Sequence, residues 1–254
     1  MQEHHHFGYT IKKVKRIGNG GFGYVDEVKL YNSNGNPCPG TYARKTFYPS
    51  ESMRQSILDL AQIQERFNEE VRCQASCNSF NVVSIFMHSL NIKNPWFIME
   101  LAESDLAKLI NEKEMSFLQK ISALEMIVLG VKYIHDKNLL HRDIKPQNIL
   151  KFKNNLFKLS DFGLVKDLNR DNPLTAIANI NMGTDGYKAP EIKNAGIYDQ
   201  RTDIYALGVV IEQFTDGQLN DIVSKCTMYN PKDRYQSASE IYNDLKKYQE
   251  LVNA

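Results

Sequence analysis

Two short polar motifs, separated by a run that suits a β-strand, constrain this chain more than any other feature. Residues 141–148 read His-Arg-Asp-Ile-Lys-Pro-Gln-Asn, and residues 161–163 read Asp-Phe-Gly. The run 156–159 between them alternates as expected for a strand that leads into the second motif. A carboxylate that can accept a proton, and an amide and a second carboxylate that can hold a metal ion, therefore come in fixed order: Asp143, Asn148 and Asp161.

The composition is that of an ordinary globular protein. At 254 residues, the chain can bury a sizeable core in one domain or in two small lobes. The net charge of +1 predicts neither nucleic acid nor a membrane as a partner. The first residues contain no hydrophobic signal region, and the four cysteines form no Cys-x-x-Cys pair, so we expect a cytoplasmic protein. We expect His4-His5-His6 to be a mobile tail or a tag remnant.

The pattern of apolar residues changes along the chain and predicts two lobes. The first hundred residues are strand-rich, apart from one amphipathic helix expected over about residues 52–77. After Asp105 the pattern is helical, including a buried helix over Ser116–His135. We therefore expect a first lobe over about residues 7–101, a hinge over about 100–105, a second lobe over about 106–254, and a cleft between the lobes.

A glycine cluster near the start is suited to close approach of the backbone to phosphates. Residues 18–25 read Gly-Asn-Gly-Gly-Phe-Gly-Tyr-Val, with glycines at positions 18, 20 and 23. A flexible hairpin turn explains this spacing equally well. A dinucleotide-binding unit needs a helix directly after the glycines, whereas residues 25–30 alternate like a strand, so that alternative is excluded.

One lysine and two adjacent glutamates form a second candidate set. Lys45 follows the last glycine of the cluster by 22 residues and lies on the next predicted strand. A lysine held by a glutamate on a helix is a suitable point charge for phosphate oxygens. Glu69 and Glu70 both lie on the predicted helix, and only one of them can face the lysine. The apolar neighbours Phe67 and Val71 favour Glu70 as the glutamate that faces the lysine.

Over nearly its whole length, the chain resembles the eukaryotic-type (Hanks-type) Ser/Thr protein kinases. Besides the glycine cluster and Lys45, it has His-Arg-Asp at 141–143, Asn148, Asp-Phe-Gly at 161–163 and Ala-Pro-Glu at 189–191, in that order. The resemblance implies an α+β, bilobal protein-kinase-like fold in a single domain over residues 1–254. Its first lobe would hold an antiparallel sheet and one long helix, and its second lobe would be mainly helical.

The resemblance also implies a role for each motif residue. Asp143 would be the catalytic base, and Lys45, paired with Glu70, would bind phosphate oxygens. Asn148 and Asp161 would hold Mg²⁺, with Mn²⁺ as a possible substitute. Lys145 would steady the transferred phosphoryl group and favours Ser/Thr substrates, and Thr184 would hydrogen-bond near it. The implied partners are ATP and a protein substrate. The nucleotide would be bound by Ile17, Gly18, Gly20, Gly23, Val25, Ala43, Lys45, Met99, Glu100, Ala102 and Leu150.

Two further matches are structural. Asp203 resembles the buried aspartate that ties the catalytic loop to a helix of the second lobe. Arg234 resembles the ion-pair partner of Glu191.

The chain departs from the family pattern in three places. Four residues after the glutamate that pairs with the lysine, the family usually has a leucine that belongs to a hydrophobic spine spanning the two lobes. That position is Gln74 if Glu70 is the paired glutamate, and Cys73 if it is Glu69. Residues 176–183 hold no Ser, Thr or Tyr, so activity would be constitutive or set by Thr175. Only seven residues separate Phe214 from Ile222, where the family usually carries several tens and a further helix.

Two other functions are compatible with the fold. A pseudokinase, which binds nucleotide or partners without phosphoryl transfer, is the principal alternative, and Gln74 is its best support. A small-molecule kinase is a further one, although residues 183–191 resemble a segment that binds peptide substrates.

Overall fold

The structure is a computed structural model that describes residues 3–55, 59–169, 184–195 and 199–253. The chain forms two compact units, residues 1–76 with 83–101, and residues 77–82 with 102–254. The first unit holds a six-stranded antiparallel sheet and one long helix, and the second is mainly helical. The α+β fold class predicted from the sequence is therefore confirmed. Within the described ranges, no helix is both long and apolar enough to cross a membrane.

The sheet of the first unit is built from hairpins whose register fixes which side chains share a face. Its strand order is β1-β2-β3-β4-β6-β5, with every neighbouring pair antiparallel. The elements of this unit are β1 (Glu3–His6), β2 (Tyr9–Gly20), β3 (Gly23–Tyr31), β4 (Tyr42–Phe47), α1 (Glu51–Arg54), α2 (Leu60–Ala75), β5 (Ile85–Ser89) and β6 (Trp96–Glu100).

Alternation along the strands divides the apolar side chains between the two faces of the sheet. One buried cluster lies on one face and consists of Ile11, Val28, Leu30, Trp96 and Ile98. The opposite face packs against α2 through Phe47, Ile63, Phe67, Val71 and Phe97. This second cluster fixes α2 beside the strand that carries Lys45.

The long helix begins later than its apolar spacing predicted. It starts at Leu60, because Asp59 is its N-cap: the Asp59 carboxylate accepts the backbone N–H of Gln62, and the Gln62 side chain accepts the N–H of Asp59. Leu60 is exposed, and Ile57, which contributed to the predicted spacing, lies outside the described residues. The expected single helix over about 52–77 was therefore wrong at its start.

The expectation of a mobile histidine tail was also wrong. Strand β1 pairs with β2 in register from Glu3 opposite Lys12 to His6 opposite Tyr9. The connecting turn has positive φ at both central residues, 44° at Phe7 and 78° at Gly8, as hairpins of this length require. The His6 ring lies 4.8 Å from the ring of Trp96, and His6 Nε2 is 3.2 Å from the carbonyl oxygen of His88.

In the second unit, short strands and helices alternate around the polar motifs. The segment 77–82 joins this unit through the amide nitrogen of Asn81, which donates to the carbonyl of Phe157. The elements are β7 (Ser104–Asp105), α3 (Leu106–Glu112), α4 (Phe117–Asp136), β8 (Leu139–Leu140), β9 (Ile149–Phe152), β10 (Leu156–Leu159), β11 (Lys166–Asp167), α5 (Pro190–Ala195), α6 (Gln200–Thr215), α7 (Asn220–Cys226) and α8 (Ala238–Asn253).

Helices α6 and α7 follow each other after a tight turn. The turn has positive φ at Asp216 (50°) and Gly217 (78°). A Cβ atom on Gly208 would lie 2.4 Å from the Cβ of Cys226, so the two helices approach each other as closely as glycine allows. The two helices that flank the short connection are therefore closely packed.

Candidate active site

The loop that carries Asp143 is held from below by a buried carboxylate on α6. The backbone N–H groups of His141 and Arg142 each donate to Asp203 at 2.8 Å, and His135 Nε2 lies 2.9 Å from it. Burial acts to raise the pKa of Asp203, but these hydrogen bonds and the neighbouring histidines hold it below its ordinary value. Arg142 adopts a positive φ of 64°, which this anchoring stabilises. The predicted tie between Asp203 and the loop is confirmed.

The Asp143 carboxylate has three side-chain partners that fix its orientation. Its Oδ1 accepts the hydroxyl of Thr184 at 3.0 Å. Its Oδ2 lies 2.8 Å from Lys145 Nζ and 3.0 Å from the Asn148 amide nitrogen. Lys145 also donates to Thr184 at 2.8 Å, so Asp143, Lys145 and Thr184 form a closed triangle. The bond predicted for Thr184 is therefore confirmed, and the carboxylate is oriented by contacts to both of its oxygens.

The two oxygen ligands predicted for a metal lie at the same end of the β9–β10 hairpin. Ile149 is paired with Leu159, and the backbone N–H of Ser160 donates to the carbonyl of Asn148 at 2.9 Å. Asp161, with φ of 60°, follows directly. The Asn148 amide nitrogen donates to the backbone and side chain of Asp143, which leaves the amide oxygen as the atom available to a cation.

This donor set fits magnesium. An amide oxygen and a carboxylate are hard ligands, and Mg²⁺ is commonly held by one or two such groups together with phosphate oxygens and water. Among the described residues, no group of three or more His, Cys, Asp or Glu side chains could hold a metal ion. The chain therefore offers two ligands that suit a metal bound together with a phosphorylated ligand.

In the first unit, the structure places Glu70, and not Glu69, against Lys45. Lys45 Nζ donates to Glu70 Oε1 at 2.6 Å, and both side chains are largely buried. Glu69 lies 3.4 Å from Arg72 and accepts from the Cys73 thiol at 3.6 Å. The adjacent glutamates thus point to different sides of α2, as the helical period requires.

Three glycines of the cluster, Gly18, Gly20 and Gly23, differ in how much space the structure leaves beside them. Gly18 lies opposite Val25 and Gly20 lies opposite Gly23 in the β2–β3 hairpin, so a strand follows the glycines. A Cβ on Gly23 would lie 1.9 Å from the carbonyl oxygen of Thr46 in β4. On Gly18 or Gly20, it would meet nothing closer than 3.9 Å. Gly23 is therefore required by the sheet itself, whereas Gly18 and Gly20 leave open space beside the backbone.

Several predicted nucleotide-binding residues share one face of the sheet with Lys45. Val25 lies directly opposite Lys45, and Ala43, two residues before it, lies opposite Met99. Ile17 lies at a bulge of β2 and is 41% exposed. The backbone N–H of Ser84 donates to the Glu100 carboxylate at 3.0 Å. Ala102 and Leu150 belong to the second unit, where Leu150 lies in β9 opposite Asp105.

An ion cluster beside the glycine hairpin was missed in the sequence. Asp26 is buried and accepts from Arg16 Nε, lies 2.8 Å from Lys13 Nζ and 3.7 Å from Arg44. Arg16 also donates to the side chain of Asn19, within the glycine segment, at 3.2 Å. Burial acts to raise the pKa of Asp26, but the hydrogen bonds from Lys13 and Arg16 bring it below its ordinary value. The cross-strand register Arg16–Asp26–Arg44 brings these charges together, and no local sequence pattern shows that register.

Two other predictions concern Arg234 and Thr175. Arg234 makes a bidentate pair with Glu191 at 2.8 and 2.7 Å, as predicted. Thr175, the candidate regulatory residue, lies outside the described residues.

Comparisons with known proteins agree with this geometry. The family model described as protein kinase domain matches residues 11–220. A probable serine/threonine-protein kinase of Clostridium perfringens is 26% identical, over 97% of this chain and 39% of that protein. The Aurora kinase of Yarrowia lipolytica is 31% identical, over 80% of this chain and 51% of that protein. The serine/threonine-protein kinase PknL of Mycobacterium tuberculosis is 28% identical, over 71% of this chain and 54% of that protein.

This chain therefore spans about 39 to 54% of the length of these relatives. The family match covers most of its sequence and includes the glycine segment, both polar motifs and Glu191. Because the sequence match and the geometry of the motif residues agree, the chain belongs to the protein kinase family.

Proposed function

We propose that the chain is an active Ser/Thr protein kinase, which transfers the γ-phosphoryl group of ATP to a serine or threonine hydroxyl of a protein. The observation that carries this proposal is the orientation of Asp143 by Thr184, Lys145 and Asn148. Contacts to both oxygens fix the direction in which the carboxylate can accept a proton. Such fixed positioning is what a general base needs in order to take the proton of a bound hydroxyl. In a pseudokinase, such an arrangement would have no chemical use.

The proposed reaction is an in-line displacement at the γ-phosphorus. The acceptor oxygen forms a bond to the phosphorus as the bond from phosphorus to the bridging oxygen of ADP breaks. Asp143 takes the hydroxyl proton, and Lys145 neutralises charge on the transferred group. A positive charge in this position stabilises the spread negative charge of the transition state. The preference for Ser/Thr over tyrosine rests on Lys145 and on the named relatives.

The proposed nucleotide contacts follow from the residues that match the family motifs. Lys45, held by Glu70, would bind phosphate oxygens, and the open space beside Gly18 and Gly20 would admit the phosphate chain. The adenine would contact the predicted apolar residues and the backbone near Glu100. Asn148 and Asp161 would hold Mg²⁺, or Mn²⁺ in its place, and the bound ion would offset phosphate charge. We also place the activity in the cytoplasm, since the reduced state suits cysteines that form no disulfide in the structure.

The proposal is tested by phosphoryl transfer with a matched variant of the base. The purified chain is incubated with labelled ATP, Mg²⁺ and a generic basic protein, beside Asp143→Asn. We expect transfer to serine or threonine, reduced by roughly 10²–10⁴-fold in the variant. Nucleotide affinity, measured in parallel, should be similar in both proteins because Asp143 is not assigned to nucleotide binding. Nucleotide binding by the parent protein without any transfer would instead favour the pseudokinase.

A further inference from the structure

Gln74 is a buried polar residue on the same stripe of α2 as Glu70. It is 1% exposed and lies four residues after Glu70, which is about one helical turn and roughly 6 Å along the axis. Its Nε2 donates to the backbone carbonyl of Val83 at 2.9 Å. The helix therefore makes two polar contacts from one stripe, one to Lys45 and one to Val83.

One contact ends on the sheet, and the other ends on the segment just before β5. Lys45 lies in β4, opposite Phe97 of β6. The segment that holds Val83 is fastened to β6, because the N–H of Ser84 donates to the Glu100 carboxylate at 3.0 Å and the N–H of Glu100 donates to the carbonyl of Ser84 at 3.4 Å. Since β4 and β6 are adjacent strands, the sheet provides a common frame for both anchors of α2.

The amide of Gln74 is only partly satisfied. Its Oε1 is buried and has no hydrogen-bond partner among the residues that the structure describes. A buried acceptor without a partner costs free energy that an apolar side chain of similar size would avoid. Packing alone therefore does not account for a glutamine here, whereas the bond to Val83 does.

Two anchors on one stripe fix the rotation of a helix about its axis. A side-chain tip lies about 5–6 Å from the axis, so a roll of about 20° would move a carboxylate by about 2 Å. That displacement would break the 2.6 Å contact between Glu70 and Lys45. A roll would also break the bond from Gln74 to Val83, so the second bond opposes the loss of the first.

We propose that Gln74 is a positioning residue that holds the rotation of α2 and thereby keeps Glu70 against Lys45. The inference rests on the proposed function, in which Lys45 binds the phosphates of ATP. It also reinterprets the departure from the family pattern at this position. The glutamine replaces apolar packing with a hydrogen bond, and the active arrangement of the helix is retained by different chemistry.

The test is Gln74→Met, which keeps the length of the side chain and removes its hydrogen bond. We expect kcat/KM for ATP to fall about ten-fold, which corresponds to the loss of one buried hydrogen bond. Gln64→Met is the matched control: the same change on the same helix, at a position with no side-chain hydrogen bond recorded in the described ranges. The control should change kcat/KM by less than two-fold.

A double-mutant cycle separates positioning from a general structural effect. In a Glu70→Gln background, Gln74→Met should change kcat/KM by less than two-fold, because the contact that it protects is already weakened. An equal fall in both backgrounds, or a rise in activity on Gln74→Met, would overturn the proposal. Melting temperatures of all variants show whether loss of fold contributes.

The outcome for Gln74 can be distinguished from the outcome for kinase activity. If the parent protein transfers no phosphate, the proposed function fails, and the same cycle is then measured by the affinity for ATP. Coupling between positions 70 and 74 in ATP affinity supports the positioning role without catalysis. Additive effects on affinity contradict it.

Discussion

Gly23 and Gly20 belong to one sequence motif, but different physical requirements select them. Gly23→Ala should lower the free energy of unfolding by about 1–3 kcal/mol, because the added Cβ would overlap the carbonyl of Thr46, a backbone atom that cannot rotate away. Gly20→Ala is the matched control and should cost less than about 1 kcal/mol, since its Cβ meets nothing closer than 3.9 Å. Urea unfolding measures both. Equal losses in the two variants would contradict this distinction.

Asp26 should make the fold sensitive to acid. Its pKa is lower in the folded protein than its ordinary value of 3.8, so its stabilising effect is complete above that value and is lost as the pH falls through the lowered folded-state pKa. Asp26→Asn should cost about 1–3 kcal/mol at pH 7, because Lys13 and Arg16 lose a charged acceptor. Below the folded-state pKa, the variant and the parent should converge. Denaturant unfolding at a series of pH values checks this, and a constant difference down to low pH would contradict it.

The residues of the site could be predicted to different degrees, for physical reasons. Asp143, Asn148 and Asp161 lie within one hairpin and its flanks, where sequence spacing fixes geometry. The choice between Glu69 and Glu70 depended on the rotation of a helix, and adjacent residues differ by about 100° of rotation. The ion cluster at Asp26 depended on the pairing of three strands, which no local pattern reveals.

At the scale of elements, β1 is the part of the fold that the sequence did not predict. A run of three histidines has little preference for a strand, and its strand structure comes from pairing with β2. The helix α2 was predicted correctly in type and face but not in its start, because the capping box at Asp59 ends the apolar pattern. Helix α4 was predicted within one residue from its apolar pattern, and in the structure Ser116 is its N-cap.

The single tryptophan of the chain reports on β1. Trp96 is 3% exposed, and the His6 ring packs against its indole. His6→Ala should therefore shift the tryptophan emission to longer wavelength, because water reaches the ring. His5→Ala is the control: the His5 ring hydrogen-bonds Thr10 and, as the neighbour of His6 in a strand, points to the opposite face. An unchanged emission spectrum of His6→Ala would show that β1 does not cover Trp96 in solution.

For the whole molecule, the order of motifs predicted the family, and the change in apolar pattern predicted two lobes. The sequence also showed where the chain departs from the family, but the contacts at those places needed the structure. The short connection before α7 appears in the sequence as a deletion. In the structure, the two helices that flank this connection are closely packed at Gly208 and Cys226. Gln74 appears in the sequence as a missing leucine, and the structure shows a hydrogen bond instead. At both positions the sequence shows a difference from the family, and the structure shows the contacts that are present instead.

We expect the contact between His6 and β5 to limit self-association of this protein. In the strand order β1 and β5 are the two edges of the sheet, yet His6 of one edge reaches the backbone of His88 in the other. Exposed edges are where sheets of different molecules add to each other and aggregate. Where the two edges of one sheet contact each other, less of either edge is open to a strand of another molecule. Loss of β1 should therefore appear first as self-association at high concentration, before any change in the helical unit.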